Sequence, residues 1–509
     1  MDVEQFKEGV RRGQVSADRL HDLLDSALRL LEKANARIAE LEQRLESLGQ
    51  PTTTKLDEPY SVEAEEKRQA ERDKKKKAKP KRSRRRGRKK TADKIAQAAR
   101  TEAVYPAGAN PEDCKLSHTR VVWRLENGQA VLVAYDVYRG PKGEYGQVPG
   151  VIGRSEFGLE FVLTIAHLTY IVGLSFDKIC MLMSFFQNLP LRKSQVDALL
   201  NQLSRHWESE FDTLCILLAN SAVVHTDETS WSLNSVWAFL SEQARVLFFG
   251  VHKDAETLRQ ILDPATFEGI VISDDAAVYQ NFTHSQKCWA HLLRKAIKLT
   301  LLDPQVEEYR RLTDRLLEIY RTACRVQQDK RFGDAGRAAK VDELNDQVLE
   351  LAFPIWAAEL APHQEGSLDD YRKLCNELMR LLLDGQLFVF VTAAATTAPN
   401  GKPQAVSGTN NEAERTLRNP AGARDTHRTT KTVRGARRRT VIVSVLESTR
   451  QYLAQFTLPT LLAEIERWTT RGRSCFTEQL RKLKRKLKGQ LQQPAQPLLD
   501  ALLPLADST

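Results

Sequence analysis

Two short runs of β-branched residues, each followed directly by carboxylates, constrain the fold of this chain most. The first run and its carboxylates lie in Val223–Glu228, and the second run and its carboxylates lie in Ile270–Asp275. Short apolar runs of this kind, bounded by polar residues, predict buried strands. Two further β-rich runs, 235–241 and 245–251, follow the first. The order of three strands, a helix and another strand predicts an α/β protein with acidic groups at one edge of its sheet.

A later segment, 410–418, predicts a helix that begins with two asparagines and carries Glu412 and Glu414 in its first turns. The asparagine side chains are suited to capping this helix. Hard divalent cations prefer oxygen ligands, and two such ions can assist a phosphoryl transfer. Asp227, one acid of the second strand end and one Glu of the helix are therefore candidate metal ligands. Ordinary solvated acids at strand ends are the alternative interpretation.

The N-terminal part of the chain differs from the rest in composition. An apolar seam with steps of three and four residues runs from Leu20 to Leu48 and predicts a coiled coil that self-associates, with the number of copies left open. Residues 51–100 have almost no large apolar side chains and predict a disordered linker. Lys74–Lys90 contains thirteen basic residues, more than the net charge of +10 of the whole chain. Such an arm is typical of DNA phosphate binding; a solvated tail without a partner is the alternative.

The whole-chain composition excludes several classes of protein. With 509 residues, 41% hydrophobic and 28% charged, the chain predicts a globular protein of several domains. We find no apolar stretch of membrane-spanning length and no secretory signal, so we expect no membrane partner and an intracellular location. The seven cysteines are scattered. Cys288 and His291 have a C-x-x-H spacing without a second pair nearby, so we expect no zinc.

The order and spacing of four sequence blocks resemble bacterial transposases of the insertion sequence 66 family. The blocks are His225–Thr229, Ser273–Tyr279, Cys288–Lys295 and Asn410–Arg415. The resemblance covers about 159–450 and implies a ribonuclease-H-like DDE domain, whose site holds two Asp and one Glu. It differs from the family in two places. Asp275 stands where the family usually has Gly, and only Cys114 occupies the interval where the family carries a cysteine-rich zinc segment.

The resemblance assigns roles to individual residues. It implies Asp227, Asp274 and Glu414 as the catalytic and metal-binding residues, with Asp275 as the alternative to Asp274. The implied supporting residues of the active site are Glu228, His291, Arg294, Asn411 and Arg415. The predicted DNA-binding residues are Lys74, Lys75, Lys76, Lys77, Arg84, Arg85, Arg86, Arg88, Lys89, Lys90, Arg418, Arg434, Arg437 and Arg438.

The expected fold class is α/β: a ribonuclease-H-like catalytic core with a large all-helical insertion, preceded by a coiled-coil helix and a basic disordered linker. The expected segments are a coiled-coil helix at 1–50, the linker at 51–100, a small β-rich segment at 101–150, a helical DNA-binding or pre-core region at 151–220, the first part of the core at 221–291, the helical insertion at 292–400, the second part of the core with the Glu helix at 401–456, and a basic helical tail at 457–509.

The implied activity is metal-dependent cleavage at the ends of an insertion element, followed by transfer of the 3′-hydroxyl end into target DNA. Two Mg²⁺ or Mn²⁺ ions per site are the expected cofactors. The expected partners are double-stranded DNA of the terminal inverted repeats and the target, further copies of the chain in a homo-oligomer, and accessory proteins of the same element. The expected location is the bacterial cytoplasm, in association with the nucleoid. The alternatives are a catalytically inactive or host-adopted coiled-coil DNA-binding protein, and a ribonuclease-H-like nuclease.

Overall fold

The computed structural model describes residues 91–358, 366–399, 401–426, 428–494 and 496–505, together with Glu32, Glu66, Gln69 and Ala70. Contacts divide the chain into two compact units, 1–88 and 89–509. The four described residues of the first unit are helical and exposed. The apolar seam of the predicted coiled coil and the basic arm at 74–90 lie outside the described residues. The last ten residues of the predicted linker are described and include a short helix and the start of a strand.

The second unit is mixed α/β, and the described residues contain 16 α-helices and ten β-strands. The helices are α1 Thr91–Ile95, α2 Leu159–Tyr170, α3 Phe176–Gln187, α4 Lys193–His206, α5 Glu208–Ala219, α6 Ala255–Ile261, α7 Trp289–Leu302, α8 Glu307–Gln328, α9 Asp334–Trp356, α10 Ser367–Leu383, α11 Val389–Thr392, α12 Asn411–Asp425, α13 Val433–Tyr452, α14 Leu458–Arg471, α15 Cys475–Lys486 and α16 Leu498–Leu502. The strands are β1 Arg100–Val104, β2 Lys115–Glu126, β3 Gln129–Arg139, β4 Val223–Ser230, β5 Ser235–Ser241, β6 Arg245–Val251, β7 Ile270–Ser273, β8 Ser285–Lys287, β9 Thr396–Thr397 and β10 Pro403–Gln404.

A small three-stranded sheet in the order β1-β3-β2 precedes the main body of the unit. Strands β2 and β3, which lie in the predicted β-rich segment 101–150, form a hairpin around Asn127-Gly128. Both turn residues have positive φ, 49° and 78°. Asn and Gly tolerate this conformation best, and a two-residue turn of this kind matches the twist of the two strands.

The central sheet has five strands in the order β6-β5-β4-β7-β8. Strands β6, β5 and β4 are antiparallel neighbours, whereas β4, β7 and β8 are parallel to one another. All seven residues of β5 are buried, because helices and neighbouring strands cover this strand on every side. The sequence prediction of the bounds of β5 and β6 is confirmed.

Helix α13 covers the outer edge of this sheet with a row of hydroxyl groups. Thr440, Ser444 and Ser448 are four residues apart and share one helix face. Their side-chain oxygens accept hydrogen bonds of 2.9–3.0 Å from alternate backbone N–H groups of β6, at Phe249, Leu247 and Arg245. Four residues of helix and two of strand have similar lengths of about 6–7 Å, so the two ladders stay in step. The edge strand is thereby closed to pairing with another chain.

Helices α7–α10 pack around their own hydrophobic cluster, which includes Leu316, Leu344, Leu378 and Phe390. A larger cluster combines the central sheet with α2–α6 and α12–α16. The short apolar run Val389–Thr392 is helical and belongs to the first of these clusters. A short apolar run does not distinguish a strand from a buried helical turn. Within the described ranges, no helix has the length and apolar character needed to cross a membrane.

Candidate active site

Parallel pairing of β4 and β7 brings two aspartates to the same edge of the sheet. The register pairs Val224 with Val271 and His225 with Ile272. Continued by two residues on each strand, this register sets Asp227 beside Asp274. Neighbouring strands are about 4.8 Å apart, so the two side chains share a small volume at the point where β7 ends.

Asp227 lies in an environment that disfavours its charge. Burial is the main cause, followed by the negative charges of Glu228 and Asp274 and a smaller effect of Glu414; together they raise the pKa of Asp227 to about 7. The backbone N–H of Glu228 donates a 3.0 Å hydrogen bond to Asp227 Oδ1, which partly offsets this effect. The neighbouring carboxylates repel one another, and a bound divalent cation would relieve this repulsion.

The two acids after β7 have different partners. Arg380 of α10 forms an ion pair with Asp275. Asp274 instead accepts a 3.0 Å hydrogen bond from the backbone N–H of Ala276. Asp275 therefore already has a charge partner within the chain, whereas the Asp274 carboxylate is held by a backbone donor. Of the two acids, Asp274 is thus the one without an ion-pair partner among the described residues.

Asn410 fastens the start of α12 to the sheet edge. It is fully buried, its Nδ2 donates a 2.8 Å hydrogen bond to the carbonyl of Thr226, and its backbone N–H donates to Cys288 Sγ over 3.1 Å. The backbone N–H of Trp289 also donates to the carbonyl of Gly408 over 3.0 Å. The prediction that Asn410 caps the helix with its side chain is wrong: Nδ2 is used on β4, and Oδ1 has no hydrogen-bond partner among the described residues. The first turn of α12 is thereby held beside the residue that precedes Asp227.

Glu412 and Glu414 point to different neighbours, as their different helix faces predict. Glu412 forms an ion pair with Arg245 at the start of β6. Glu414 Oε1 lies 2.7 Å from Arg294 Nη2 and 3.6 Å from His291 Nδ1, both on α7. Glu414 also contributes to the raised pKa of Asp227. The structure therefore brings Asp227, Asp274 and Glu414 into one electrostatic cluster, with Glu412 engaged elsewhere.

A sequence model of the transposase IS66 family matches residues 154–438, which is more than half of the chain. This chain belongs to the IS66 transposase family. The matched range contains all three candidate acids and the α12 segment. No curated protein matches the chain. This family is named for DDE transposases, and membership of it indicates a transposase role that involves DNA and divalent metal ions.

In this IS66-family transposase, the predicted supporting residues have distinct surroundings. The Glu228 side chain is 2% exposed, accepts a hydrogen bond from the Tyr279 hydroxyl, and lies 2.8 Å from Lys253 Nζ. His291 and Arg294 contact Glu414, as described above. The two remaining predicted residues, Asn411 and Arg415, are exposed on α12. The first three thus surround the acids, whereas the last two face solvent beside them.

Lys287 is a feature of the site that the sequence interpretation missed. It is 2% exposed at the end of β8, and its Nζ donates 3.2 Å hydrogen bonds to Ser273 Oγ and to the carbonyl of Asp274. Burial lowers its pKa to about 8. Since lysines are rarely buried, nothing in the local sequence separates Lys287 from a surface lysine. Its position next to the Cys288 block was the only available signal.

Cys288, His291 and Glu414 form a cluster whose possible ligand atoms lie within 4.8 Å of one another. The C-x-x-H spacing thus has a third partner that is distant in sequence. The surroundings favour hydrogen bonding over zinc binding: Cys288 Sγ accepts from Asn410, and burial raises the pKa of the Cys288 thiol. The absence of zinc stays a prediction.

The predicted DNA-binding residues divide into three groups. Lys74–Lys77, Arg84–Arg86, Arg88, Lys89 and Lys90 lie outside the described residues. Arg418 and Arg434 are exposed. The other two are held within the protein: Arg437 donates to Asp500 over 2.8 Å and to backbone carbonyls of Leu499 and Leu503, and Arg438 pairs with Asp197 and donates to the Tyr170 hydroxyl over 2.7 Å. These contacts give Arg437 and Arg438 a packing role in the structure.

Proposed function

We propose that the protein is a DDE transposase that cleaves DNA at the ends of its element and joins the freed 3′-hydroxyl ends to target DNA. Its core would be ribonuclease-H-like, with α7–α10 as the helical insertion. The order β6-β5-β4-β7-β8, with β6, β5 and β4 antiparallel neighbours and β4, β7 and β8 parallel, supports this topology. The observation that carries the proposal is the grouping of Asp227, Asp274 and Glu414 at one sheet edge, with the charge of Asp227 destabilised.

The three acids fit a pair of divalent cations by their chemistry. All are carboxylates, the hard oxygen donors that Mg²⁺ and Mn²⁺ prefer. Within the described residues, neither Asp227 nor Asp274 forms an ion pair with Lys or Arg, and the negative charge of Asp274 helps to raise the pKa of Asp227. Asp227 and Asp274 would both bind the ions, and Glu414 of α12 would be the third ligand residue. A bound pair of ions would activate the attacking oxygen and stabilise the leaving oxygen.

Both proposed steps are phosphoryl transfers at the same site. In the first, water attacks a phosphodiester at the element end, a new P–O bond forms, and the bond to the 3′-oxygen breaks. In the second, that 3′-hydroxyl attacks a target phosphodiester and displaces another 3′-oxygen. Asn410 acts as a positioning residue, because it fixes α12 to β4. Arg294 and His291 orient Glu414, and Lys287 holds the backbone at Asp274.

The remaining parts of the proposal concern partners and location. The basic arm at 74–90 and the exposed Arg415, Arg418 and Arg434 would contact DNA phosphates without reading sequence. The coiled coil would join two or more copies, and accessory proteins of the same element would assist them. The reaction would take place on nucleoid DNA in the bacterial cytoplasm.

The test uses a labelled duplex that carries a terminal inverted repeat of the element, with Mg²⁺, Mn²⁺ or EDTA. We expect the unmodified chain to cleave only with metal. Asp227→Ala, Asp274→Ala and Glu414→Ala should abolish cleavage and leave DNA binding in a mobility-shift assay largely intact. Glu350→Ala, at an exposed carboxylate of α9, is the matched control and should cleave normally.

Three results would contradict parts of this proposal. Full cleavage by one of the three variants would remove that residue from the site. DNA binding without metal-dependent cleavage by the unmodified chain would favour an inactive or host-adopted DNA-binding protein. Cleavage of RNA–DNA hybrids or branched DNA in preference to element ends would favour a ribonuclease-H-like nuclease.

A further inference from the structure

A cavity of about 380 Å³ lies between the turn that joins α2 to α3 and the loop that joins α12 to α13. Its described lining holds four cationic side chains and no Asp or Glu. The cations are Arg428, Lys431, Arg438 and Arg439. A concave surface with several cations and without acids attracts an anion.

Arg439 is the unusual member of this lining. It is 6% exposed, and its Nε has no hydrogen-bond partner among the described residues. Its guanidinium lies 4.8 Å from the Trp231 ring centre and 4.9 Å from that of Phe249, and Nη1 donates a 3.3 Å hydrogen bond to the carbonyl of Arg428. Burial lowers its pKa to about 10. The aromatic rings fix this cation in place but do not neutralise it.

The other cations differ in how far their charge is compensated. Arg438 pairs with Asp197, so its charge is balanced within the protein. Arg428 and Lys431 are exposed at the cavity, and Arg428 Nη1 donates only to a neutral group, the carbonyl of Gly173, over 2.9 Å. The cavity thus contains an excess of positive charge that comes from Arg428, Lys431 and Arg439.

Two helices begin at this cavity and add donors to it. The N-cap residues Ser175 of α3 and Thr432 of α13 both line it. The first backbone N–H groups of a helix point away from its body and favour an anion. The acid in the first turn of α3, Asp177, is not part of the lining and forms an ion pair with Lys193. Ser175 Oγ and Thr432 Oγ1 already accept from the backbone N–H groups of Lys178 and Gly435, so the helix starts add mainly the positive ends of their dipoles to the cationic side chains.

We propose that this cavity binds one backbone phosphate of the DNA on which the protein acts. This inference rests on the proposed transposase function for the source of the phosphate. Guanidinium groups and helix N–H groups are common phosphate donors, and both occur here. The cavity is coupled to the active-site strand, because Trp231 Nε1 donates a 2.9 Å hydrogen bond to Thr430 Oγ1 in the cavity lining. Trp231 is four residues from Asp227, at most about 14 Å away.

The first test measures anion binding without DNA. The variant carries Arg428→Gln and Lys431→Gln, which remove exposed charges and leave the packed Arg439 in place. The control carries Arg321→Gln and Lys330→Gln, one exposed Arg and one exposed Lys of the α8 region. Inorganic phosphate, compared with chloride at equal ionic strength, should raise the melting temperature of the unmodified chain and the control. The affinity of the cavity variant for phosphate should be at least about tenfold weaker, since a charged hydrogen bond contributes about 1.5–3 kcal/mol.

The second test measures how DNA binding depends on salt. Each phosphate that a protein neutralises adds about 0.9 to the slope of log affinity against log salt concentration. For the element-end duplex, the cavity variant should therefore show a slope smaller by about 0.9 than the control. Over a fourfold rise in salt concentration, the factor by which the DNA affinity of the cavity variant falls should be about three- to fourfold smaller than the factor for the control.

The outcomes separate this inference from the proposed function. Equal phosphate-dependent stabilisation of all three proteins would overturn the anion site. A lost phosphate effect with an unchanged salt slope would assign the cavity to a free phosphate compound and overturn its role in DNA binding. Metal-dependent cleavage by the unmodified chain, measured on the same preparations, tests the transposase function separately. If cleavage is present while the slope is unchanged, only the cavity assignment fails.

Discussion

Replacing Asp227 with asparagine should stabilise the metal-free protein at neutral and alkaline pH. Burial and the neighbouring carboxylates raise the pKa of Asp227 to about 7 in the folded chain, whereas the unfolded value is near 4. The protonated form therefore stabilises the fold. This contribution is fully present below pH 4 and is lost as the pH rises through about 7. Asparagine keeps nearly the same shape and carries no charge at any pH.

The size of the effect follows from the pKa. Each pKa unit corresponds to about 1.4 kcal/mol, so a rise from 3.8 to about 7 gives an upper limit of about 4 kcal/mol above pH 7. A domain of 150–250 residues shifts its melting temperature by about 2–4 °C per kcal/mol. In this larger unit we expect a difference of a few degrees.

The assay is thermal unfolding in EDTA from pH 4 to pH 9, at one heating rate, for the unmodified chain, Asp227→Asn and the exposed control Asp342→Asn. The melting temperature of Asp227→Asn minus that of the unmodified chain should increase between pH 4 and pH 7 and then stay constant. Mg²⁺ should raise the melting temperature of the unmodified chain above pH 7 and leave Asp227→Asn unchanged. Parallel pH curves for the two proteins, or an equal response to Mg²⁺, would refute the electrostatic reasoning.

Three further comparisons test individual positions. Asp274→Asn should lower metal-dependent cleavage at least about 100-fold, because loss of an outer-shell partner alone costs about 10–100-fold; Asp275→Asn should retain cleavage, and the reverse order would exchange their roles. Glu414→Gln should likewise lose cleavage while Glu412→Gln keeps it, measured on the same element-end duplex. Asn410→Ala should destabilise the protein by about 1–3 kcal/mol and slow cleavage without weakening DNA binding; unchanged thermal unfolding and cleavage would remove its positioning role.

Two strands of the central sheet, β5 and β6, could be predicted because their signals are local. Apolar residues alternate or run continuously over the seven positions of each strand, and the bounds of both agree with the sequence prediction. β8 was not predicted, because Ser285–Lys287 is polar and becomes a strand only by pairing with β7. A three-residue strand buried by distant partners leaves no periodic pattern in the sequence.

The partners of the site residues depend on contacts that are distant in the chain. Asn410 donates a hydrogen bond to a carbonyl 184 residues away. The neighbouring sequence contains no sign of this partner and therefore predicted that the Asn410 side chain caps the helix. Arg380 neutralises Asp275 from the helical segment, 105 residues further along the chain. Sequence patterns can nominate acids for a metal site. They do not reveal which of those acids are already paired within the folded chain.

Arginines after the Glu helix illustrate the same limit. In the sequence, Arg434 and Arg437–Arg439 form one basic cluster that is typical of DNA binding. In the structure they are on one helix but on different faces, so Arg434 is exposed, Arg437 and Arg438 pair with acids, and Arg439 packs against aromatic rings. Helical geometry places arginines that are neighbours in the sequence on different faces of the helix. The element that each face contacts decides the role of the arginine.

The most direct test of the account is the location of bound Mn²⁺, determined by anomalous diffraction from crystals of the full chain grown with Mn²⁺. We expect anomalous density between the carboxylates of Asp227 and Asp274, with Glu414 adjacent to it, and none there for Asp227→Asn. Mn²⁺ bound only at Cys288 and His291, or absent from the Asp227–Asp274 edge at saturating concentration, would contradict the proposed active site.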